Sequence, residues 1–151
     1  MPANRNPRRW EVRRDGSSWR DSASPQCQDD LDGLLNMVLA SATQMMQQRA
    51  ELHPFGAAVS TSGEVQVLGT DPGPDAATAY LPVLLDKLRR DRAGFRAVAV
   101  CSHVRLPDSH AVRVRLEHHE GPAVHFVVPY SSERLEYGEP RRGTPFRQVW
   151  T

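Results

Sequence analysis

The residues able to do chemistry in this 151-residue chain cluster between Cys101 and His125. Cys101 and His103 stand two apart, so on a β-strand they point the same way. A thiolate and an imidazole are zinc ligands, and they are also the parts of a nucleophile and its base. His119 and His125 follow in the next two segments. Cys-x-His is not a recognised closed zinc spacing. No third group is placed to orient a base. Cys101 and His103 are therefore weak metal candidates, and no catalytic residue and no cofactor are expected. Gly69-Thr70-Asp71-Pro72-Gly73 has neither the glycine pattern nor the lysine of a phosphate loop.

A second group is cationic. Arg105, Arg113 and Arg115 are expected on one sheet surface, with Glu117, His119 and His125 beside them. A bare solvated face accounts for such a set. A face for a protein or nucleic-acid partner accounts for it too, because the planar arginine fork grips carboxylates and phosphates bidentately.

Three strands must position these side chains. In Ala97–Leu106, Val98, Val100, Ser102, Val104 and Leu106 alternate with Ala97, Ala99, Cys101, His103 and Arg105. In Ala111–His119, Val112, Val114, Leu116 and His118 alternate with Arg113, Arg115, Glu117 and His119. In Ala123–Tyr130, Val124, Phe126, Val128 and Tyr130 form the apolar side. This period of two predicts half-buried strands. The turn clusters Pro107-Asp108-Ser109 and Glu120-Gly121-Pro122 are short enough to require antiparallel neighbours. The Val-rich side is expected to be the core, and Arg105 and His103 are expected to share the polar side with Arg113.

Upstream, Leu31, Leu34, Leu35, Val38, Leu39, Ala42, Met45 and Met46 recur at helical spacing. Asp29, Asp30 and Asp32 sit near the start of that helix, where carboxylates suit the dipole. Phe55–Ser60 and Glu64–Gly69 read as a hairpin, with Gly63 supplying a positive φ. Leu81, Leu84, Leu85 and Leu88 mark a second helix. It is capped by Asp75 or Thr78, and Pro82 is tolerable only near its first turn. The predicted class is α+β. It is a single domain of order α-β-β-α-β-β-β, with a five-stranded antiparallel sheet and two helices packed on it.

Residues 1–26 form a basic tail, 27–130 the domain, and 131–151 an irregular C-terminal extension. Over residues 1–20, six arginines against two acids give +4, while the whole chain carries +1. Trp10 and Trp19 are interleaved with those arginines, a pattern that docks on a partner or stacks on nucleic acid. The two cysteines make no disulfide framework, so a reducing cytoplasmic setting is expected. No apolar run reaches membrane-spanning length, and the arginine-rich start has no apolar core of a secretory signal.

His53-Pro54-Phe55-Gly56-Ala57-Ala58-Val59 followed by Ser62-Gly63-Glu64-Val65 resembles a segment of small uncharacterised bacterial proteins with a Pro-Phe-Gly strand opening. Their later strand run is similar to Val112–Tyr130, with Leu116-Glu117-His118-His119 and Val128-Pro129-Tyr130. The element order looks like that of roadblock and profilin-like domains. The resemblance implies no catalytic residues; some such proteins act as immunity or accessory proteins. The leading expectation is a non-enzymatic protein-interaction module, with Arg105, Arg113, Arg115, Glu117, His119, His125, Trp10 and Trp19 as contact residues. The alternatives are a nucleic-acid-binding accessory domain and a small metal-binding or hydrolytic protein. A protein partner is expected, no membrane is, and a homodimer is compatible with the sequence.

Overall fold

The computed structural model describes residues 19–48, 52–69, 77–131, 136–145 and 147–150. A 3₁₀ turn, Trp19–Ser22, precedes helix α1, Pro25–Gln48. Ser24 caps α1, its hydroxyl accepting the Cys27 N–H at 3.1 Å. Pro25 takes the first helical position, where its missing N–H costs nothing. The boundary expected at residue 26 therefore falls inside α1. Arg20 ties the 3₁₀ turn to the helix through a two-pronged pair with Asp32. Its guanidinium also lies 4.5 Å over the Trp19 ring. Trp10 lies outside the described residues.

The strands are β1 (Phe55–Ser60), β2 (Val65–Leu68), β3 (Phe95–Arg105), β4 (His110–His118), β5 (Ala123–Ser131), β6 (Glu136–Tyr137) and β7 (Arg141–Arg142). Every pairing is antiparallel, in the order β2-β1-β3-β4-β5-β6, with β7 also on β5. The sheet has seven strands, not five. The two extra strands are two-residue pieces of the segment expected to be irregular, and both pair with β5. Gly63, at φ 97°, makes the β1–β2 turn.

The helices lie on opposite faces of the sheet. On the inner face α1 packs Leu31, Leu34, Leu35, Val38 and Leu39 against Phe55, Ala57, Val59, Ala97, Ala99, Cys101, Val112, Val114, Leu116, Val124, Phe126 and Val128. On the outer face helix α2 (Ala77–Arg90) packs Leu84, Leu85 and Leu88 against Ala58, Val98 and Val100, and Val149 joins them. Thr78 is already the second helical residue of α2, so it is no cap. Asp75 lies outside the described residues. Pro82 sits exposed in the second turn rather than the first.

The expected face of β3 is inverted. Ala99 pairs Leu116, Cys101 pairs Val114 and His103 pairs Val112, which puts the odd-numbered residues on the inner face. Both faces of β3 are covered, so both are apolar. The small Ala97, Ala99 and Cys101 let α1 approach closely, and the larger Val98 and Val100 serve α2. No helix among the described residues is long and apolar enough to cross a membrane.

Candidate functional site

The outer face is covered unevenly. Helix α2 lies over β1 and β3. The C-terminal residues Arg147–Trp150 extend that cover to one end of β4. Glu117 holds them there: its carboxylate accepts the Gln148 N–H at 2.7 Å, the Val149 N–H at 3.1 Å and the Trp150 N–H at 3.2 Å. Three successive backbone donors converging on one anion make a nest. Arg89 and Arg92 at the end of α2 donate to the Gln148 and Val149 carbonyls at 2.7 and 3.1 Å. Arg147 donates to the Gly121 carbonyl at 2.7 Å. Glu117, expected as an open contact residue, is thus buried under the chain's own end.

Beyond that clasp the outer face of β4 and β5 carries Arg113, Arg115, Val127 and His125. Arg115 pairs His125 across the strands, and Arg113 pairs Val127. The two arginines project side by side, about 6.8 Å apart along the strand. Both are half-buried, and Arg141 on β7, opposite Val127, is exposed. The Arg113 Nε–H is buried with no hydrogen-bond partner among the described residues. Burial, and then the neighbouring Arg113 charge, lower the Arg115 pKa.

His125 closes one side of this patch. Its Nδ1 lies 3.2 Å from the Thr144 carbonyl. The Gly143 backbone lies against its ring so closely that a Cβ there would fall 2.4 Å from Nδ1, so only glycine fits. Burial holds the His125 pKa below its ordinary value; the Thr144 bond opposes the shift, and the Arg115 and Arg113 charges add to it. The imidazole therefore stays neutral beside two guanidiniums.

The other expected residues lie elsewhere. Arg105 pairs His110 on the inner side, beyond the end of α1. There it lines an open depression of about 490 Å³ at the β3–β4 turn. His103 is exposed, and its Nε2 lies 2.9 Å from His110 Nδ1. Neither residue shares a face with Arg113. Cys101 is buried beneath α1, and burial raises its thiol pKa far out of the working range. It forms no metal cluster with His103 among the described residues. His119 is exposed past the end of β4, its ring 4.9 Å from that of His118. Trp19 is half-buried against the α1 core.

Sequence reasoning missed a polar cluster at the start of α1. His118 is fully buried, and its Nε2 lies 2.9 Å from Asp30 Oδ2. Asp30 also pairs Arg96 at 2.9 Å. Cys27, fully buried, and Glu120 lie beside them. The signal was a histidine on an otherwise Val/Leu face, because a buried imidazole needs a polar partner.

Compared with known proteins, the chain matches no family model, no curated protein and no solved structure.

Proposed function

We propose that this chain is a non-enzymatic interaction module whose outer sheet face, over β4 and β5, docks an acidic segment of a protein partner. The observation that carries this reading is the side-by-side pair of half-buried arginines, Arg113 and Arg115, on the half of the outer sheet face that neither α2 nor Arg147–Trp150 covers among the described residues. An incoming carboxylate bridging the two guanidinium ends offsets their mutual repulsion. Arg141 at the rim adds to the attraction and to the rate of encounter. The half-buried Val127 gives the docked segment something other than charge to contact. A toxin-neutralising or accessory regulatory role is one concrete form.

The test is a pull-down with the wild type and the Arg113→Glu/Arg115→Glu double variant, both shown to be folded. Partners held by this face are lost on reversal. If every partner survives, the sheet face is not the docking site. Capture that is abolished by a generic duplex and falls steeply with salt would select nucleic acid instead.

A further inference from the structure

The cluster at the start of α1 has the parts of a metal centre. Cys27, His118 and Glu120 each bring one ligand atom within 4.8 Å of the others. We infer that these three side chains bind a divalent ion of the zinc class, with Asp30 orienting His118. The inference does not depend on the docking face, which lies on the other side of the sheet.

The donor set fits. Zinc accepts cysteine sulfur at ~2.3 Å and nitrogen or oxygen at ~2.0–2.1 Å. Tetrahedral geometry at those lengths sets ligand atoms roughly 3.3–3.6 Å apart, so from at most 4.8 Å the group must close by up to about 1.2–1.5 Å. Glu120 is exposed and can supply that movement by pivoting about its bond from the Ser24 hydroxyl. Cys27 is fixed in the first turn of α1, and His118 is fixed on β4. Three protein ligands leave a fourth position to be filled by water.

The surroundings fit as well. A metal-bound histidine normally donates its second ring N–H to a carboxylate, which fixes the tautomer and strengthens the ligand. His118 has that partner in Asp30, which Arg96 holds from the other side. With Nε2 committed to Asp30, Nδ1 is left for the ion. It gives up only the long 3.2 Å contact with the Glu120 N–H. The Ser24 hydroxyl lies 2.8 Å from Glu120 Oε1 and ties the carboxylate to the cap of α1.

A plain thiol nucleophile fits less well. Burial, then Glu120 and Asp30, push the Cys27 thiol up to about 11, so it holds its proton at neutral pH. A bound divalent ion deprotonates a coordinating thiol outright, and the proton passes to solvent.

The full chain, stripped with chelator, is titrated with Co²⁺ as a spectroscopic stand-in for Zn²⁺. One equivalent is expected to raise a near-ultraviolet thiolate-to-cobalt band with the visible bands of a four-coordinate ion, and Zn²⁺ is expected to displace it. Calorimetry in two buffers of different ionisation heat should show about one proton released per ion. Cys27→Ser should abolish the charge-transfer band, and Cys101→Ser should leave it. Glu120→Gln, at an exposed position that spares the fold, should weaken binding at least about tenfold, since even outer-shell changes cost that much. A wild-type titration without the band, a band that follows Cys101, or Co²⁺ affinity unchanged in Glu120→Gln overturns the assignment.

Discussion

Replacing Glu117 with glutamine should unfasten the C-terminal end from the sheet. The carboxylate is nearly fully buried, at 4 % exposure, so solvent does little to screen its bonds. Its contact with the Gln148 N–H, at 2.7 Å, is short and charge-assisted. Those to the Val149 and Trp150 N–H groups, at 3.1 and 3.2 Å, are longer. A hydrogen bond to a charged group contributes about 1.5–3 kcal/mol, and a neutral one about 0.5–1.5 kcal/mol. Glutamine keeps one carbonyl acceptor but turns an amide donor toward the nest, where it meets another donor. The expected net loss is about 2–3 kcal/mol. For a domain of this size that is a fall of roughly 5–10 °C in Tm. Glu117→Ala should cost more, because three N–H groups then lose their acceptor. Hydrogen exchange by NMR reads the local effect. The amides of Gln148, Val149 and Trp150 should lose protection, while those of β1 and β3 keep theirs in the glutamine variant relative to its own global stability. A Tm within about 1 °C of wild type, with those three amides still protected, would refute the clasp.

Two further effects follow from side chains around the sheet. Tyr137 lies with its hydroxyl 2.8 Å from the Leu39 carbonyl and 2.9 Å from the Thr43 hydroxyl. Burial pushes its phenol up to about 12. Tyr137→Phe should lower the urea midpoint by the equivalent of about 1–2 kcal/mol with m unchanged; an unchanged midpoint would show that β6 does not lock α1. His125 has a folded pKa below its ordinary 6.5, chiefly through burial. As pH falls below that value the unfolded chain takes up the proton first, so stability drops until the folded imidazole also titrates, and it is flat above. His125→Gln should flatten that slope in denaturation curves taken across the window; a slope that persists unchanged would assign it to another group.

Where one face of an element is buried and the other wet, the pattern of residues reported it. Helix α1, the alternation of β4 and the inward Val124, Phe126 and Val128 of β5 were legible for that reason. The face of β3 was not, because α1 and α2 bury both of its sides. The larger valines then look like the core face when they are one of two. The added strands β6 and β7 are two residues each, too short for an alternation to show, and the Tyr137 side chain that ties β6 to α1 is a single residue without a pattern around it. The Glu117 clasp has no side-chain signature either, because its donors are peptide N–H groups. The arginine pair on β4 was visible because both residues lie on one strand. Arg105 and His103 were misplaced with the face of β3. The Cys27–His118–Asp30 cluster joins a helix start to a strand end far along the chain, so no local spacing could announce it.

The central claim is that the open half of the outer sheet face receives an acidic segment on Arg113 and Arg115. NMR of the arginine Nε–H signals during titration with a glutamate-rich peptide tests it most directly. Saturable, salt-sensitive shifts of the Arg113 and Arg115 signals and of the β4 and β5 amides are expected, with Arg105 and His119 unmoved, and these shifts should be lost in the Arg113→Glu/Arg115→Glu variant. Shifts confined to other surfaces, or equal shifts in the reversed variant, would contradict it.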